Sequence, residues 1–143
     1  MSSCTVLALE LHIQTRQSYA PNWLSDPIAA VFLTIDNPCA QLSLASTYKK
    51  VNILLINSEL SRHISEPMLG IRNEVHHCIL ARDEYDLLAK LIDVFREHDP
   101  DVILGWETEI LSIGYICKRA EFALGFKFRE YIQREAKTFK PFN

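Results

Sequence analysis

The sequence holds no CxxC pair, no surplus of positive charge, no apolar run of membrane-spanning length and no internal repeat, and each absence removes a class of function. Its four cysteines, Cys4, Cys39, Cys78 and Cys117, stand far apart, which argues against a zinc knuckle or a redox motif and favours buried free thiols in a reducing compartment. The formal net charge is −3 and the pI near 5.9, so no basic field draws the chain to a phosphate backbone, and any contact with nucleic acid has to be local. The start, Met-Ser-Ser-Cys-Thr, lacks a basic n-region, and the apolar run Val6 to Leu11 is broken by Glu10, which argues against a signal peptide. Crossing a bilayer takes about 18–20 consecutive apolar residues, and no stretch is that long, so a soluble, intracellular protein without a membrane partner is expected.

What is present has the composition of one globular domain or part of one: 143 residues, 48% hydrophobic and 23% charged. A chain of this size can bury roughly two thirds of its unfolded surface. Cys4 to Gln14 alternates and is rich in β-formers, predicting a strand with Ala8, Glu10 and His12 on one face. Ile28 to Ile35 is a continuous apolar run bounded by proline-containing segments, the pattern of a central strand. Val51 to Asn57 and Glu74 to Leu80 predict two more strands. Asp83 is placed to cap a helix whose stripe is Tyr85, Leu88, Ile92 and Phe95, ending near His98-Asp99-Pro100. Val102 to Leu104 then predicts a short strand, and Ile110 to Leu124 a second helix stopped by Gly125. Disorder is expected at Asn37 to Lys50 and over the last fifteen or so residues. Strands first and helices later describe an α/β sandwich with a mixed sheet.

A two-metal nuclease needs several carboxylates converging within a few ångströms. Glu10 is one such carboxylate, but Ala8, two residues back on the same face, has no ligating atom. Asp99-Pro100-Asp101-Val102-Ile103-Leu104-Gly105-Trp106-Glu107 leads into Ile110-Leu111-Ser112, then Gly114-Tyr115 and Arg119-Ala120.

Together with Ala8-Leu9-Glu10, Leu11-His12, Thr15-Arg16 and Asp26-Pro27-Ile28, these residues resemble the first two exonuclease motifs of the family B DNA polymerases, and most of all their DNA polymerase zeta branch. The resemblance runs in order over residues 5–125. It implies a ribonuclease-H-like 3′-5′ exonuclease fold, an α/β architecture with a mixed sheet and flanking helices, incomplete at the C-terminal side. A degenerate exonuclease-like domain is expected over 1–125 and a basic, aromatic tail, frayed or truncated, over 126–143. Ala8 and Ser112 stand where the family has metal-binding aspartates, so with Glu10 they are vestigial exonuclease positions and proofreading is expected to be lost. Glu10 is a weak metal candidate. Glu107, Trp106 and Tyr115 are the candidates for residues near DNA. The resemblance further implies translesion DNA synthesis and DNA repair in the nucleus, on a DNA primer-template and with polymerase accessory subunits. Magnesium and an iron-sulfur cluster are implied for the longer parent and map onto none of these residues. No third exonuclease motif and no palm, thumb or fingers occur here, so polymerisation is not expected of this stretch.

Plainer readings stand beside these. Glu10 also reads as a partly buried, hydrogen-bonded structural acid, Asp99 and Asp101 as turn residues, Glu107 and Glu109 as solvated charges ahead of a helix, and Ser112 as a helix-start hydroxyl. His76 and His77 are adjacent on a strand and point to opposite faces, which is poor geometry for one ion. Lys127, Arg129, Arg134, Lys137 and Lys140, interleaved with Phe128, Tyr131 and Phe139, read as a strand-binding groove or as a frayed end. Two rival functions follow: a live metal-dependent 3′-5′ exonuclease recruiting Glu10, Asp101, Glu107 and Glu109, or a stand-alone, non-catalytic interaction module.

Overall fold

A computed structural model describes residues 4–17, 19–37, 50–63 and 75–133. Five strands form one mixed sheet: β1 (Val6–Ile13), β2 (Ile28–Asp36), β3 (Lys50–Asn57), β4 (His77–Ala81) and β5 (Val102–Leu104). Their order is β4-β3-β2-β1-β5. The central pairs β1–β2 and β2–β3 are antiparallel, whereas β4 and β5 join the outer strands in parallel.

The period-2 alternation of β1 buries Leu7 and Leu9 and turns Val6, Ala8, Glu10 and His12 to the opposite face. On the Leu7 face lies α1 (Glu84–His98), which buries Leu87, Leu88, Leu91, Ile92, Val94 and Phe95 against Val31, Leu33, Ile35, Ile53 and Leu55. The stripe is wider than the sequence reading gave it. Tyr85, at its predicted start, is 37% exposed and packs edge-on against Phe126 at a centroid distance of 5.4 Å. Asp83 does cap the helix, accepting the Asp86 N–H at 2.8 Å. On the other face Ala30, Leu54 and Ile56 form a smaller cluster with Phe32 and Val75.

Where Ile110 to Leu124 was expected to be helical, residues 106–112 are turns, α2 is only Ile113–Arg119, and a π-turn, Ala120–Leu124, closes the segment. Gly125 does stop it, in the left-handed region at φ 80°. The residues after it are not a frayed tail as far as 133: Phe128 opens α3 (Phe128–Ile132), is fully buried and meets Phe95 edge-on. Phe126 and Tyr131 pack on the same core. With Phe128 and Tyr131 turned inward, these aromatics do not form the outward stacking surface that the tail's composition suggested. Arg134, Lys137, Phe139 and Lys140 lie outside the described residues, as do 38–49, where disorder was expected.

The cysteines also depart from expectation. Cys4 and Cys78 are free but exposed, and Cys117 is free and half-buried; Cys39 lies outside the described residues. No helix among the described residues is long and apolar enough to cross a membrane.

His98, in the last turn of α1, is partly buried. Burial pulls its pKa below the usual histidine value, outweighing the upward pull of Glu97, and His77 adds to the lowering. The unfolded chain therefore takes up this proton first as the pH falls. Its contribution is fully present above about pH 6.5 and is lost as the pH drops from there towards the depressed folded value. In urea titrations, His98→Gln should shrink the loss of midpoint between pH 7.5 and pH 5.5; an unchanged loss would assign that dependence to other groups.

Candidate functional site

Parallel pairing sets Ala8 of β1 beside Leu104 of β5, so the segment that follows β5 runs past Leu9 and Glu10. Two side chains tie it there. The Trp106 N–H donates to Glu10 Oε1 at 3.2 Å, and the fully buried Ser112 Oγ donates to the Leu9 carbonyl at 3.1 Å. Gly105 sits against the second of these ties, in a space that no Cβ fits. One there would meet Ser112 Oγ and stand 2.7 Å from Ser112 Cβ and 2.9 Å from the Leu9 carbonyl oxygen. Inside the turn, the Glu107 carbonyl accepts from the N–H groups of Ile110 and Leu111 at 2.9 and 2.8 Å, with Glu107 itself at φ 45°.

Ala8, Glu10 and Ser112, expected as vestigial positions, are thus neighbours, but their chemistry is not that of a metal site. Ala8 is half-buried opposite Thr34 and offers no donor atom. Ser112 does stand at the start of α2, as its plainer reading had it, but its hydroxyl is spent on the Leu9 carbonyl and caps nothing. Glu10 is hydrogen-bonded, as its structural reading required, yet it is exposed rather than partly buried. Among the described residues no three His, Cys, Asp or Glu side chains come together to hold a metal ion. The described residues therefore do not fit the metal pair of an exonuclease.

The remaining candidates divide. Trp106 is 70% exposed, and Glu107 and Glu109 are exposed beside it in sequence. Asp101 is a turn residue: its carboxylate accepts the Thr5 N–H at 2.7 Å, while its own N–H donates to the Thr5 carbonyl. Asp99 ends α1 in the left-handed region. His76 bonds to Asn52 through both its backbone N–H and its Nδ1, which accepts the Asn52 N–H. Tyr115, the third candidate for a residue near DNA, is 3% exposed. Its hydroxyl donates to the Asp26 carbonyl at 2.6 Å and lies 3.1 Å from that of Asn22, and burial pushes its pKa far up.

Tyr115 belongs to a buried polar network that sequence reasoning did not assemble. Arg119 donates through Nε and Nη2 to the two oxygens of Glu84, at 2.9 and 2.8 Å, and through Nη1 to the carbonyls of Trp23 and Leu24. Hydrogen bonding to Glu84 raises the guanidinium pKa further. Glu84 Oε2 also accepts the Ile28 N–H, and the buried Asp26 takes Asn22 N–H and Arg16 Nε. Asp26, Tyr115 and Arg119 are among the residues that carried the family resemblance, so part of that signal was the clamp holding the 22–28 loop against α1 and α2. Elsewhere, a cavity of about 610 Å³ opens between α2 and α3, where Lys118, Lys127 and Arg129 are matched by Glu109, Glu121 and Glu130. It involves neither Ala8 nor Glu10 and presents no field of one sign.

Comparison with known proteins agrees with this architecture. The model of the DNA polymerase family B exonuclease domain matches residues 3–142. The chain is 28% identical over 125 residues to the DNA polymerase zeta catalytic subunit of Mus musculus, covering 84% of this chain and 4% of the relative. It is 27% identical over 131 residues to that of Arabidopsis thaliana, covering 91% and 6%. With the Saccharomyces cerevisiae subunit it shares 26% over 125 residues, covering 83% and 8%. The chain thus spans less than a tenth of the length of these relatives. The family B DNA polymerase of the archaeon Pyrobaculum calidifontis shares the fold, with a TM-score of 0.59 at 18% identity over 93% of this chain and 12% of that one. The mixed five-stranded sheet with its flanking helices is the ribonuclease-H-like fold, and the chain belongs to the exonuclease domain family of the family B DNA polymerases.

Proposed function

We propose that this chain is the exonuclease-like scaffold of a zeta-type family B DNA polymerase and that its own proofreading activity is lost. One observation carries the reading: at the vestigial positions Ala8 has no ligand atom and the Ser112 hydroxyl is bonded to the Leu9 carbonyl. A hydrolytic site of this kind holds two divalent ions through several carboxylates, and Glu10 alone cannot balance that charge. The relatives supply the context, being named as DNA polymerase zeta catalytic subunits.

On this reading the parent extends primers across lesions in DNA repair, in the nucleus, with magnesium in its polymerase module, an iron-sulfur cluster and accessory subunits, all outside these residues. Trp106 and Glu107 are the residues of this domain nearest to DNA. Loss of proofreading suits that task, since a mismatched primer end is then left for extension.

The chain should release no nucleotides from a 5′-labelled single-stranded oligonucleotide in magnesium or manganese. Metal-dependent digestion abolished by Glu10→Ala would reinstate a working nuclease and end this reading.

A further inference from the structure

We infer that Glu10 is a positioning residue: its carboxylate fixes the turn after β5 and so sets where the Trp106 indole meets solvent, a role that needs an acceptor oxygen and no metal ion. The inference deepens the reading of an inactive exonuclease site and explains what the remaining carboxylate of that site does.

The geometry converges on one turn. Its entry is held by Glu10 Oε1 accepting the Trp106 N–H, and its exit by Ser112 Oγ donating to the carbonyl of Leu9, the residue beside Glu10. Between them Glu107 is at φ 45°, a left-handed conformation that a side chain with a Cβ disfavours and that surrounding contacts have to impose. The Glu107 carbonyl closes the turn from within through Ile110 and Leu111, and the Thr108 carbonyl accepts the Gly114 N–H at 2.7 Å, while the Trp106 N–H and the Ser112 hydroxyl reach out of the turn to β1. Ala8, on the same face as Glu10, brings no second oxygen. An indole that is 70% exposed gains a defined position only if the backbone beneath it is held. What this arrangement presents is a fixed aromatic face, the chemistry that stacks an unpaired base.

Two substitutions separate an acceptor from a metal ligand. Glutamine keeps an acceptor oxygen but loses the charge, and alanine loses both. In the ¹⁵N-labelled chain, Glu10→Ala should speed amide hydrogen exchange at Trp106 roughly threefold to tenfold, the effect of one exposed hydrogen bond, while Glu10→Gln stays near the parent rate. Manganese should broaden the Glu10 and Trp106 signals no more than those of other exposed residues. Exchange at Trp106 that Glu10→Ala leaves unchanged would overturn the inference. So would selective manganese broadening at Glu10 and Trp106 that Glu10→Gln removes, since it would make Glu10 a metal ligand. A rate that follows alanine but not glutamine supports the positioning role even if the chain proves to digest DNA, so failure of the inactive-site reading is told apart from failure of this one.

Discussion

Arg119→Met is expected to cost this domain about 3–5 kcal/mol, as does removing one partner of a buried ion pair elsewhere. The loss does not come mainly from attraction between two charges. Methionine fills much of the arginine's volume, but it leaves the Glu84 carboxylate buried and the carbonyls of Trp23 and Leu24 without their shared donor. Arg119→Lys should recover little, because one ammonium cannot span both oxygens of Glu84 and two carbonyls on the far side. The double variant Glu84→Leu with Arg119→Met removes both charges and should recover part of the loss, though not all of it, since the Ile28 N–H then lacks its acceptor. Urea denaturation of the three variants decides. A single-variant cost below about 1 kcal/mol would mean that the pair behaves like a surface salt bridge and clamps nothing.

Ser112→Asp, the change that would restore a metal-binding side chain by analogy with the family, should instead destabilise the fold by at least about 3 kcal/mol. Position 112 is fully buried and its oxygen faces the Leu9 carbonyl. An ionised aspartate would set acceptor against acceptor there, in a space already so close to Gly105 that a methyl group does not fit. Ala8→Asp, on a half-buried strand position, should be tolerated better. The expected result for the pair of substitutions is a lower thermal midpoint and no primer digestion. If the double variant digested primer ends at unchanged stability, the turn would have to be adaptable, and the tie between Ser112 and Leu9 would not define it.

The strands were legible because each announces itself locally, β1 by alternation and β2 by an unbroken apolar run. The helix from Glu84 was legible from its cap and its period. The start of the second helix was not. Its preceding turn depends on a left-handed Glu107, where no glycine or asparagine marks the reversal, and on bonds to Leu9 and Glu10 a hundred residues away in sequence. Phe128 and Tyr131 were misread because Lys127 and Arg129 stand among them, and only the packing against Phe95 and Phe126 reveals which face they take. Glu84 gave no signal beyond that of an acidic first-turn residue, although it is the acceptor at the centre of the buried network. At the site itself, the lack of a carboxylate at Ala8 and Ser112 could be read directly from the sequence, whereas the use of Ser112 and Glu10 as ties to the backbone had no local signature.

The bonds that join β1 and the 22–24 loop to the far end of the chain, Thr5 to Asp101, Glu10 to Trp106, Trp23 to Arg119 and Leu9 to Ser112, span 96 to 103 residues. Such contacts are slow to form and come late. On a ribosome that adds roughly 5–20 residues each second, the β1–β2–β3 meander waits about 2–10 seconds after β3 before β5 has been made. During that interval one side of β1 has no strand beside it, and until α1 is made Leu7 and Leu9 have no helix over them. This nascent meander, rather than the finished domain, is the stage at which the polypeptide is most exposed to pairing with another strand.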